Sequence, residues 1–165
     1  MFKLEALDKM NVEQKYKYML ILLEGQLSSE KDDLANLCNA SAIIKAVIDK
    51  LNWCGFYIMR GEELILGPFQ GLPACNRIGL SKGVCGAAAS QKKLQRIANV
   101  HEFEGHIACD SASNSELVIP IVKEDKVYAV LDLDSPYVNR FTELEEKYLV
   151  LFVEKLNKYI NWEEI

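Results

Sequence analysis

Apolar residues recur at helical spacing at both ends of the chain and at strand spacing between them. Val12, Tyr16, Met19, Leu20 and Leu23 share one helical face behind Asn11-x-x-Gln14, a capping box, and Gly25 is the expected stop. A second helix is expected after Ser28 and Ser29, with Leu34, Leu37, Cys38, Ile44, Ile48 and Leu51 as its stripe. Cys38 reads as core, because free cysteine is among the most buried residue types. From Trp53 the period shortens. An aromatic strand over 53–59, with Cys54 as a packed thiol, ends at the turn signal Arg60-Gly61, and a short strand over 63–66 follows.

Eight of the nine glycines lie between Gly55 and Gly105, so the middle is loop-rich. A short alanine-rich helix over 84–90 and a short strand over 94–98 interrupt it. Residues 101–115 lack apolar patterning and predict a long exposed loop, which in a compact domain is usually functional. Strands are then expected over 116–122 and 126–133, joined by a polar turn. A last helix over 141–160 opens with a second capping box, Thr142-x-x-Glu145. Terminal helices around short-looped strands predict an α+β fold with an antiparallel sheet. At 165 residues, one domain spanning 1–165 is expected.

Charge narrows the function classes. The net charge is −5 and no basic run exceeds Lys92-Lys93, which argues against nucleic acid and against a polybasic membrane contact. Apolar runs such as 19–23 and 117–122 are too short to cross a bilayer, and Lys3, Glu5, Asp8 and Lys9 interrupt any signal-peptide core. A cytoplasmic protein acting on a small molecule or another protein is expected. The five cysteines are odd in number and lack a secretory context, so metal binding, nucleophilic catalysis or redox cycling is favoured over a structural disulfide framework.

Three groups of residues could carry chemistry. Cys75 and Cys85 sit in Gly/Pro-rich segments with no evident apolar face to bury them. In His101-x4-His106-Ile-Ala-Cys109, an imidazolium near Cys109 would lower its pKa and favour a thiolate nucleophile. Zinc held by these cysteines and histidines ranks lower, because no close Cys-x2–4-Cys knuckle exists. Glu116 enters one strand, and Asp132 and Asp134 share a face of the next. Such carboxylates repel, which makes one a proton-donor candidate; they could equally hold an ammonium group or a metal, or simply be solvated.

The segments Leu51-Asn-Trp-Cys-Gly-Phe-Tyr57, Leu66-Gly-Pro-Phe-Gln-Gly71, Gly83-Val-Cys-Gly86, Gly105-His-Ile-Ala-Cys-Asp-Ser-Ala-Ser-Asn-Ser-Glu116 and Leu131-Asp-Leu-Asp-Ser-Pro136 closely resemble the free methionine-R-sulfoxide reductases, small GAF-domain enzymes. The resemblance implies a GAF-like fold, with terminal helices on one face of a central antiparallel sheet and ligand-binding loops on the other. It implies that Cys109 is catalytic, that Cys75 and Cys85 recycle it, that Glu116, Asp132 and Asp134 bind substrate, and that Trp53 and Tyr57 form an aromatic wall. Free methionine-R-sulfoxide would be the substrate and thioredoxin the reductant, with a homodimer as the assembly and no metal or cofactor. Cys54 departs from the pattern, standing where a small apolar residue is expected.

That chemistry suits the residues. A thiolate at Cys109 attacks the electrophilic sulfur, Glu116 or Asp134 protonates the oxygen, and the resulting sulfenic acid condenses with Cys75 or Cys85. Two rivals are a ligand-sensing GAF module with passive cysteines and a cysteine hydrolase using His101 or His106. The choice between Cys75 and Cys85 as resolver, the identity of the acid and the roles of both histidines are left open by the sequence.

Overall fold

The computed structural model describes residues 4–105 and 111–165; His106 and Cys109, both expected at the site, lie outside them. Helix α1 spans Val12–Ser29 and opens with the expected capping box: Asn11 Oδ1 accepts from Gln14 N, and Gln14 Oε1 from Asn11 N, each at 2.9 Å. The helix does not stop at Gly25. An interior glycine costs only about 1 kcal/mol against alanine, and here the Ser28 and Ser29 hydroxyls donate back to its carbonyl. Helix α2, Asp33–Val47, is capped by Asp32, whose side chain accepts from Ala35 N.

Two assignments on α2 are corrected. Its buried face is Leu37, Ala40, Ser41, Ile44 and Val47, whereas Leu34 is 59% exposed and Cys38 is exposed. At about 100° per residue, Cys38 falls a quarter-turn beyond Leu37 and off that face. The expected stripe was drawn too wide.

Six strands form one antiparallel sheet among the described residues: β1 Trp53–Arg60, β2 Glu63–Gln70, β3 Arg77–Gly79, β4 Gln95–Ile97, β5 Ser115–Lys123 and β6 Lys126–Ser135, in the order β3-β2-β1-β6-β5-β4. Helix α3, Gly83–Gln91, lies between β3 and β4, and α4, Glu143–Tyr159, follows β6. Strand β2 runs four residues past Leu66, through Gly67-Pro68 that had read as loop, and β3 is too short to show a period.

Alternation along the strands gives the sheet two different faces. On one, Cys54, Phe56 and Ile58 of β1, Leu117, Ile119 and Ile121 of β5, and Leu131 and Leu133 of β6 pack against α1, α2 and α4. Burying each such side chain contributes about 1.5–3 kcal/mol, so this face carries most of the fold's stability. The other face is covered by α3 and by loops, with Trp53, Tyr57, Val118 and Val130 beneath. This is the expected α+β architecture, and it leaves the second face free to hold polar groups.

Candidate active site

The register of three central strands assembles the site. Asp134 of β6 lies opposite Trp53 of β1 and Glu116 of β5, while Asp132 lies opposite Gly55 and Val118. Opposed residues of antiparallel strands project to the same side, so the three acids and Trp53 meet on the α3 face. Tyr57, four positions beyond Trp53 along β1, shares it.

Gly55 makes room there. A Cβ on it would come within 2.4 Å of the Phe69 Cβ and 2.7 Å of the Pro68 carbonyl oxygen. Without one, β2 closes in and Phe69 stacks on Trp53 with centroids 5.3 Å apart, while Tyr57 also stacks on Trp53 at 5.7 Å. The expected two-ring wall therefore has three rings. Phe69 went unassigned because nothing in the sequence extends β2 far enough to oppose Gly55. The Tyr57 hydroxyl donates to the Cys75 carbonyl at 3.1 Å, fixing the cysteine-bearing segment against the wall.

Helix α3 delivers Cys85. Gly86 lets the helix sit against the end of β3, since a Cβ there would lie 2.5 Å from the Gly79 carbonyl oxygen. Contrary to the loop-thiol expectation, Cys85 is buried, and its Sγ stands 4.0 Å from Glu116 Oε1. Ligand atoms of Cys85, Glu116 and Asp132 all lie within 4.8 Å of one another. Cys75, by contrast, is half-buried and disulfide-bonded, whereas Cys85 is a free thiol.

The electrostatics follow from burial. Glu116 and Asp132 are 6% and 5% exposed. Burial holds the Glu116 carboxyl well above the usual range, and the charges of Asp132 and Asp134 add to that. Burial also pushes Asp132 up to about 7, partly offset by hydrogen bonds with Cys85 and Glu116. The repulsion expected between the two aspartates thus falls on Glu116. Burial likewise drives the Cys85 thiol far up, with the neighbouring acids adding to it. Two polar atoms on this face, Trp53 Nε1 and Asp132 Oδ1, are buried without a hydrogen-bond partner.

The loop after β4 is pinned at both ends. Val100 N donates to the Asn114 carbonyl at 2.9 Å, Asn114 N donates to the Ser135 carbonyl at 2.8 Å, and Gly83 N donates to the Gly105 carbonyl at 3.1 Å. His101 Nε2 and Asn114 Oδ1 are 2.8 Å apart, so His101 braces the base of this loop. Among the described residues, no helix is long and apolar enough to cross a membrane.

The GAF domain family matches residues 32–160. The free methionine-R-sulfoxide reductase of Escherichia coli is 46% identical over 134 residues, covering 81% of each chain. Among solved structures, the reduced form of fRMsr from Staphylococcus aureus superposes with a TM-score of 0.84 at 44% identity, covering 87% of this chain and 94% of that one. Free methionine-R-sulfoxide reductase from Neisseria meningitidis, in complex with its substrate, gives a TM-score of 0.89 at 34% identity, covering 94% and 93%. With the GAF sheet, the three acids and the aromatic wall in place, the chain belongs to the free methionine-R-sulfoxide reductase family of GAF-domain proteins.

Proposed function

We propose that this protein reduces free L-methionine-(R)-sulfoxide to methionine, using Cys109 as nucleophile and thioredoxin as the final reductant. The observation that carries the reading is the second face of the sheet, where buried carboxyls, a three-ring wall and two partnerless polar atoms converge. Asp132 and Asp134 receive the substrate ammonium, which explains selection of the free amino acid over a peptide-bound residue. The rings contact the S-methyl end, since sulfur–aromatic contacts are favourable, and Trp53 Nε1 is available to donate to a substrate oxygen.

Glu116 is a better proton donor than Asp134, because burial and the neighbouring Asp132 and Asp134 charges raise its pKa well above the usual carboxylate range. The Cys109 thiolate attacks the sulfoxide sulfur as Glu116 protonates the oxygen. The oxygen passes to Cys109 as a sulfenic acid and methionine leaves. A second thiol then attacks the sulfenic sulfur, forming a disulfide and releasing water. Thioredoxin reduces that disulfide by exchange, and no bound cofactor is required.

Cys75 is assigned as resolver. What supports it over Cys85 is that Cys75 already takes part in a disulfide, whereas the free Cys85 thiol is buried and held protonated, and a thiol is a poor nucleophile beside a thiolate. His101 positions the loop and does no chemistry. The active unit is a homodimer in the reducing cytoplasm, where thioredoxin operates.

The test is NADPH oxidation in the presence of thioredoxin and thioredoxin reductase, with each methionine sulfoxide epimer supplied separately. Turnover with the R epimer alone is expected. It should be lost in Cys109→Ser, limited to a single equivalent of methionine in Cys75→Ser, and lowered about 10²–10⁴-fold in Glu116→Gln. No turnover of either epimer by folded, reduced protein would overturn the proposal and leave a ligand-sensing GAF module.

A further inference from the structure

The cluster of Cys85, Glu116 and Asp132 has a composition that ammonium binding does not require. A cation held by carboxylates alone needs no thiol, yet Cys85 Sγ is aimed at Glu116 Oε1 from α3 across the sheet face. All three side chains are at least nine-tenths buried, and their ligand atoms fall within a 4.8 Å span. The Asp132 Oδ1 atom is buried with no hydrogen-bond partner, a carboxylate lone pair left for something else. A cation entering here meets three donors that folding has already removed from water.

We propose that Cys85, Glu116 and Asp132 bind a thiophilic divalent cation, Zn2+ in the first instance, as a three-ligand site with its fourth position open. The donor set suits zinc, which takes thiolate and carboxylate together, whereas magnesium and calcium favour oxygen alone. The geometry is near what zinc needs. Tetrahedral bonds of about 2.3 Å to sulfur and about 2.1 Å to oxygen place those two ligands about 3.6 Å apart, against the 4.0 Å between Cys85 Sγ and Glu116 Oε1. For this pair a few tenths of an ångström of side-chain motion closes the difference, and Asp132 must close in from within the 4.8 Å span of the cluster.

The Cys85 thiol ligates as a thiolate and releases its proton as the ion enters. Affinity therefore rises with pH. The bound ion occupies Asp132, one of the two carboxylates proposed to hold the substrate ammonium, and ties up Glu116, the proposed proton donor. Zinc is thus an inhibitor of this site, competitive with the amino acid substrate, and not a cofactor. The competition rests on the function proposed above; the metal site itself does not.

Co2+ is the probe, added to fully reduced protein, because a cobalt–thiolate bond absorbs in the near ultraviolet where cobalt–carboxylate bonds do not. A saturable near-ultraviolet band is expected, displaced by Zn2+. The band should vanish in Cys85→Ser, with affinity weakened on the order of 100-fold or more. Glu116→Gln, which keeps the thiol, should weaken binding while leaving a weak band. The double variant Cys75→Ser, Cys109→Ser should keep the band in full. Absence of a band in the wild type, or a band that survives Cys85→Ser, would overturn the site. If the band forms but free methionine-R-sulfoxide does not displace it, the metal site stands and the proposed placement of the substrate ammonium falls.

Discussion

Two glutamates in this protein are almost equally hidden from water and electrostatically opposite. Glu145 at the start of α4 is 4% exposed and Glu116 on β5 is 6% exposed. Burial raises both. At Glu145, however, hydrogen bonds from the Thr142 side chain and backbone, the Tyr16 hydroxyl and the Arg140 guanidinium together outweigh it and hold the carboxyl at about 2. At Glu116 the charges of Asp132 and Asp134 add to the cost of burial. One carboxylate is locked as an ion on the side of α1, α2 and α4; the other is pushed toward its neutral form on the α3 side. Burial alone therefore says nothing about charge state: the neighbours decide, and they differ by face.

The sharpest break of this contrast is Glu145→Ala. It breaks the buried half of the Arg140 pairing, leaving that guanidinium, 11% exposed at its side chain, only Asp49; it also takes the carboxylate acceptor from the Tyr16 hydroxyl and undoes the capping box with Thr142. A loss of about 3–5 kcal/mol is expected, read as a lowered urea midpoint, with turnover unchanged where the protein is folded.

Asp132→Asn should do the reverse. A folded-state pKa of about 7, raised from 3.8, means the folded state holds this proton more tightly than the unfolded one. Stability is then fully retained below about pH 4 and is lost as pH rises to about 7. Removing the charge should add about 2–4 kcal/mol at pH 8 and close to nothing at pH 4, while substrate binding collapses. A variant destabilised equally at both pH values would show that Asp132 is held by partners, as Glu145 is.

The smallest effect tests the helix-covered side as a stability device. Gly25 lies inside α1 with nothing within 4 Å of where its Cβ would be. Gly25→Ala should stabilise by about 0.5–1 kcal/mol, seen as a rise in Tm with kcat and KM unmoved.

Local signals in the sequence carry much of the fold, and long-range contacts are legible only where a pattern accompanies them. Both capping boxes, the β5–β6 hairpin and α3 follow from residues within a few positions of each other. Glu145 could be read as a cap, but its bond to Tyr16 spans 129 positions and leaves no local trace. Cys38 was misplaced because apolar spacing fixes the centre of a helical stripe better than its edges. Cys85 was misplaced because burial by α3 depends on how closely Gly86 approaches β3. The acids of the candidate site are legible as types and positions; that they converge on one buried face, which raises the Glu116 carboxyl, depends on sheet register, which no short window encodes.

The exposed Cys38 has a practical consequence. Among the described free thiols, Cys54 and Cys85 are buried and only Cys38 is exposed. It stands on the helix-covered side, away from the face where redox chemistry is proposed, so a maleimide dye placed there reports without touching the reaction. The same residue biases any native thiol count upward and offers a point where two molecules can cross-link on storage in air. Cys38→Ser is therefore the sensible background for every redox titration of this protein.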